Sequence, residues 1–181
     1  MSIEQIDLES LALGVPGISP ARGAGMVEAA TVCMEKESHV SGVTMTVDGD
    51  HERKVSVCWN VLANPEQSAR TWADPQEATE NGAAGVAAVL VPLLTGLEIV
   101  NRSRKGTGFD YWLGQEDGET KNFLRNHARL EVSGIQNGSE RDIKARVAKK
   151  ERQTRQSDSM PLPAYVTVVE FGTPRSRVKK R

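Results

Sequence analysis

The segment ADPQEATENGAAGVAAVLVPLLTGL, residues 73–97, constrains the fold more than any other. Asp74 is a natural N-cap, Pro75 suits the first helical position, Glu77 stands where a capping box places its acid, and Gly96 supplies a stop. Pro92 falls in the last turn, where it can kink the helix. The middle is crowded with small residues: Gly82, Ala83, Ala84, Gly85, Ala87 and Ala88. A helix so built approaches a neighbour closely and belongs inside a fold. By i, i+4, i+7 and i+11 spacing, Glu80 shares a face with Ala84, Ala87 and Val91.

Alternating patterns follow. Three strands are expected, roughly Glu98–Ser103, Phe109–Gln115 and His127–Ile135, with turns at Gly106–Gly108 and at QEDGETKN. Ser139 and Asp142 then open a basic helix, SERDIKARVAKKERQTRQ, and AYVTVVEF reads as a buried strand. Upstream, Met26–Ser38 reads as a short helix. Val43, Met45 and Val47 pair with Val55, Val57 and Trp59 as a hairpin around Asp48-Gly49-Asp50. Residues 1–25 read as a loose lead-in, ANPEQSARTW as a linker and TPRSRVKKR as a mobile basic tail. The expected organisation is an extension over residues 1–73, a core over 74–172 and a tail over 173–181.

Length and composition narrow the class. At 181 residues, 38% hydrophobic and 26% charged, the chain suits one core with a small addition. No apolar run approaches the ~20 residues a membrane helix needs, and the acidic start MSIEQIDLES lacks the features of a signal peptide. Cys33 and Cys58 lack metal-ligand spacing and read as reduced thiols of a cytoplasmic protein. His39, His51 and His127 form no cluster with them.

The net charge of −1 hides a split. Residues 1–100 carry 14 acids and 5 bases, and residues 138–181 carry 12 bases and 5 acids. Such asymmetry points to a polyanion on the basic side or to a protein partner of opposite sign. Arg102, Arg104, Lys144, Lys149 and Arg152 are the candidate phosphate contacts, with Arg155 beside them.

Two adjacent strands each carry a carboxylate in mid-pattern, Asp110 in GFDYWLG and Glu131 in RLEVSG. Neighbouring strands lie ~4.8 Å apart, close enough for the two to meet. Such a pair repels unless it shares a proton or a cation, and Mg²⁺ or Mn²⁺ is a suitable cation. The simpler alternative makes Asp110 a turn or strand-end aspartate and pairs Glu131 with Arg102, Arg104 or Arg129 as an exposed ion pair. Glu80 and Glu77, likewise, are at home near a helix N-terminus for dipole reasons alone.

The order helix, three strands, helix, strand, with Glu80, Asp110 and Glu131 placed along it, resembles the core of the restriction-endonuclease-like PD-(D/E)XK superfamily. The resemblance spans about residues 74–171 and implies an α/β fold with a mixed sheet, here extended by an N-terminal helix and β-hairpin. It implies a metal-dependent nuclease acting on DNA or RNA in restriction, repair or defence. Asp110 and Glu131 would hold the metal, Glu80 would assist, and a lysine would position or activate water. The family's Glu-x-Lys reads Glu131-Val132-Ser133 here, so the base must come from elsewhere or be absent. Lys105, Lys144 and Arg129 are the candidates, with Lys105 preferred. The small size implies a homodimer or a subunit of a larger complex. A rival reading is a non-catalytic member of the fold that serves as a protein-interaction subunit.

Overall fold

The computed structural model describes residues 3–115 and 126–181. The chain runs β1 (Glu4–Asp7), a 3-10 helix (Leu8–Leu13), α1 (Pro20–Lys36), β2 (Val43–Gly49), β3 (Arg53–Cys58), α2 (Pro65–Thr71) and α3 (Pro75–Thr95). It continues through β4 (Glu98–Arg102), β5 (Tyr111–Gly114), β6 (Asn126–Ile135), α4 (Glu140–Thr154), a 3-10 turn (Arg155–Ser157), β7 (Ala164–Glu170) and β8 (Arg175–Lys180). Among the described residues, eight strands form one mixed sheet in the order β1-β3-β2-β8-β7-β6-β5-β4. The fold is α/β, as expected.

The helix at 75–95 begins and ends where its punctuation requires. Asp74 Oδ1 accepts from Glu77 N at 2.8 Å, and Gly96 closes the helix in the left-handed region at φ 71°. The small residues of α3 set its spacing from α1: a Cβ on Gly82 would come within 3.0 Å of Ala30 Cα, and one on Gly85 within 3.0 Å of Met26 O. By length and mean hydropathy α3 could cross a membrane, but two-thirds of that apolar stretch is buried inside this structure. Its apolarity is that of a core helix.

Alternation along β6 separates two layers. Leu130 and Val132 join the main core with α1 and α3. Ile135 packs on the other face with Ile143 and Val147 of α4, against Val166 and Val168 of β7. β6 and β7 are parallel in register from Arg129↔Ala164 to Ile135↔Glu170, and α4 forms the crossover that parallel neighbours require. The capping box of α4 is complete, with Ser139 and Asp142 bonded reciprocally.

Strands β5 and β6 pair antiparallel as expected, and β2 with β3 form the expected hairpin. Much of the turn QEDGETKN lies outside the described residues.

Three expectations are corrected. The lead-in is structured: Ile6, Leu8, Leu11 and Ile18 are buried. Ser19 caps α1, which starts at Pro20 and not at Met26. The Pro and Gly content read as looseness is here helix punctuation. The linker contains α2, whose cap is Asn64. The basic tail is no tail: β8 lies between β7 and β2, with Ser176 and Val178 fully buried. Its alternate residues carry the charge outward, where Arg177 bonds Asp48 and Glu140, Lys179 bonds Asp50, and Arg181 bonds Asp158. The alternation is that of a strand, but one whose outward positions are all basic. β8 also joins β2 and β3 to the sheet of the expected core.

Candidate active site

The site forms where a strand ladder stops. β5 and β6 pair as far as Tyr111↔Leu130, and one more backbone bond runs from Asp110 N to Leu130 O at 2.8 Å. Beyond it the chain of β5 has turned away, while β6 continues to Ile135. The amide of Val132 then lacks a strand partner on that side, and Asp110 Oδ2 accepts from it at 2.9 Å. The aspartate thus caps a sheet edge with its side chain, satisfying a donor that would otherwise be orphaned. Gly108 makes the turn possible. It sits at φ 81°, and a Cβ there would meet Gln153 O of α4 at 2.3 Å.

The gap left by β5 opens a cavity of about 220 Å³ reaching from α3 to α4. Glu80, Asn81 and Ala84 of α3 line one wall, Lys150 and Gln153 of α4 the other, and Asp110, Glu131 and Ser133 the floor. Arg22 of α1 and Arg102 of β4 stand at its side. Glu131 is only 1% exposed. Its Oε1 accepts from Lys150 Nζ at 2.5 Å and from Gln153 Nε2 at 3.0 Å. Its Oε2 is buried without a donor. The Asp110 carboxylate beside it can bond to it only if one of the two carries a proton. Burial first, and the Asp110 charge second, push the Glu131 carboxyl up from 4.5 to about 7, against the pull of Lys150.

The structure brings together Glu80, Asp110 and Glu131. It does not bring in Lys105, which is exposed in the loop before Asp110 and lines no part of the cavity. Lys144 is exposed and pairs with Glu140 one turn earlier on α4. Arg129 is buried but turned to Ser157 Oγ, Leu162 O and Thr154 O, away from the carboxylates. The position of the motif lysine is held by Ser133, whose Oγ accepts from Arg146 Nη1 at 2.8 Å. The cation that reaches Glu131 is Lys150, one α4 residue the sequence reading passed over. It stands seven residues after Ile143 and three after Val147, the apolar stripe of α4, and so lies at the border of the buried face.

Of the candidate phosphate contacts, Arg102 lies over the Tyr111 ring at 4.6 Å and pairs with Asp110 Oδ1 at 3.3 Å. Arg104 and Arg152 are exposed, and Lys149 is exposed on α4. Cys33 and Cys58 are free, and burial pushes the Cys33 thiol up to about 12, so it is no nucleophile at neutral pH.

No protein-family model matches the chain, and no curated protein is similar to it in sequence.

The raised Glu131 carboxyl gives stability a pH signature. The folded protein holds a proton that the unfolded chain has released between about pH 4.5 and 7. Stability from this group therefore falls as pH rises through that window, and levels off above it. In metal-free buffer the melting temperature of wild type relative to Glu131→Gln should drop between pH 5 and 7.5. A difference that does not change with pH would mean that Glu131 ionises normally.

Proposed function

We propose that the chain is a metal-dependent phosphodiesterase acting on DNA or RNA, with a core of the restriction-endonuclease-like kind. The observation that carries this reading is the meeting of Asp110, Glu131 and Lys150 in one cavity, with a buried Glu131 oxygen left without a donor. Packing alone does not favour such a group: an unpaired buried carboxylate oxygen costs stability. The order α3, β4, β5, β6, α4, β7 supports the reading, with Asp110 just before β5 and Glu131 within β6.

The residues fit Mg²⁺ or Mn²⁺. Among the described residues no cluster of three or more acidic, His or Cys side chains could hold a metal alone. Mg²⁺ does not require one, since it commonly takes one or two carboxylates plus waters and substrate phosphate oxygens. Asp110 and Glu131 would hold the ion, which when bound polarises the phosphodiester and lowers the pKa of a water. The chain's own part follows from the geometry. Lys150, held on Glu131 by α4, would set an ammonium beside a phosphoryl group bound at the carboxylates and offset the charge developing there. Glu80, exposed at the rim and bonded by Gln76 at 3.0 Å, can accept a hydrogen bond from water entering the cavity. Arg102 must leave Asp110 for both oxygens of that carboxylate to serve. It is 59% exposed and free to turn toward a phosphate. A cytoplasmic protein engaged in restriction, repair or defence, acting as a homodimer or within a larger complex, belongs to the same reading.

The test is nicking of supercoiled plasmid and cleavage of oligonucleotides with Mg²⁺ or Mn²⁺. Cleavage should vanish with Asp110→Asn and with Glu131→Gln, and Mg²⁺ should raise the melting temperature of wild type alone. One observation favours a second reading, a non-catalytic interaction subunit: Val132 N and Arg102 together already occupy both oxygens of Asp110. A wild-type protein that neither cleaves nor shifts its melt with metal would establish that reading instead.

A further inference from the structure

A second cavity, of about 520 Å³, adjoins the first along β6 and shares Glu80, Ser133 and Lys150 with it. Its lining adds Arg146 and Lys149 of α4, so that three basic side chains face a single carboxylate, Glu80. Arg146 and Lys149 are in no ion pair with a described carboxylate, whereas Lys144 and Lys150 on the same helix are paired. Arg146 is aimed rather than loose: Nη1 bonds Ser133 Oγ at 2.8 Å and Gly134 O at 3.1 Å. The fork's other donors are left for a ligand, in the geometry that suits a phosphate.

We infer that Arg146 and Lys149 form a subsite for the phosphate one nucleotide away from the reacting one, on a single strand of nucleic acid. The inference rests on the phosphodiesterase reading for the direction of the strand, but its binding chemistry stands apart from cleavage. Two independent spacings agree. Glu131 and Ser133 are two residues apart on one strand face, ~6.8 Å. Lys150 and Arg146 are one turn apart on one helix face, ~6 Å. Both match the step between neighbouring phosphates along a strand. A third cavity, past Ile135, is bordered by the same Arg146 and Lys149, with Asp142 as its acid.

A single strand, and not a duplex, suits the walls. Glu131 lies at the floor between α3 and α4, so a phosphate must descend between two helices to reach it. The α3 wall is acidic at its first turns, with Glu77 and the exposed Glu80, and would repel a second backbone held against it.

The test measures binding of a labelled oligothymidylate and of a duplex of equal length to the full chain, without metal and at low salt. Wild type should prefer the single strand. Arg146→Met with Lys149→Met should weaken single-strand binding at least tenfold and lower the salt slope by about 0.7, the loss of one phosphate contact. Lys54→Met with Arg70→Met, exposed and outside these cavities, should change it less than twofold. Should the double variant melt early, the exposed Lys149→Glu decides alone, with a severalfold loss expected. Unchanged affinity in the subsite variants, equal affinity for duplex, or no binding by wild type would each overturn the inference. Cleavage of the same oligothymidylate with Mg²⁺ tests the underlying reading separately: wild type that binds through Arg146 and Lys149 but never cleaves keeps the subsite and ends the phosphodiesterase.

Discussion

Deleting residues 174–181 should abolish the cooperative thermal transition, not merely weaken binding to a polyanion. The segment is β8, an interior strand, and it alone joins β2 to β7. Its removal would expose two unpaired strand edges in mid-sheet. It would also leave Asp48 without Arg177 and Arg175, and Glu140 without the same two arginines. The total stability of a domain is only about 5–15 kcal/mol, and losing a central strand exceeds it. A graded version keeps the test quantitative. Val178→Ala, at a fully buried position, should cost about 1–3 kcal/mol without unfolding the chain. Circular dichroism melts measure both. A deletion variant with a wild-type melt would mean that the sheet does not depend on β8.

Lys150→Met should lower any metal-dependent cleavage by about 10²–10³-fold, while Lys105→Met should leave it unchanged. Lys150 is the only described lysine bonded to Glu131, and its side chain is 20% exposed at the cavity wall. Methionine keeps most of the stem and removes the charge. The same change takes away the group that opposes protonation of Glu131, so the Glu131 carboxyl should rise further and metal affinity at neutral pH should fall. Steady-state cleavage as a function of pH separates the effects: a variant rescued at high pH has lost only the ionisation of Glu131. Full activity in Lys150→Met, or its loss in Lys105→Met, would return the role to the loop lysine.

What the sequence made legible was whatever a short stretch determines by itself. The caps of α3 and α4, the hairpin at 43–58 and the alternation of β6 are local signals, and they place Glu131 on β6; Asp110, expected in mid-strand, lies in the bend just before β5. The lysine was missed because its role is set by packing. Lys150 is one of a run of cations on α4, and only the docking of that helix on β6 distinguishes it from Lys144, six residues earlier on the exposed side. β8 was missed for a related reason. Its basic outward residues look solvated until Asp48, Asp50, Glu140 and Asp158 are seen to meet them. Part of the charge asymmetry between the halves of the chain is thus settled within the fold, and Arg146 and Lys149 are among the cations outside those pairs.

The edge cap made by Asp110 bears on how sequences related to this one should be read. An aspartate at that place serves the backbone of β6 whether or not any chemistry occurs, so a chain that had lost activity would still have reason to retain it. The Glu131–Lys150 pair is different. A buried ion pair is often replaceable by apolar residues of similar size with no loss of stability, or with a gain. A lineage freed from catalysis would tend to shed that pair first. On the proposed phosphodiesterase reading, glutamate at 131 together with lysine at 150, and not the aspartate, is therefore the signature by which an active descendant could be told from a silent one.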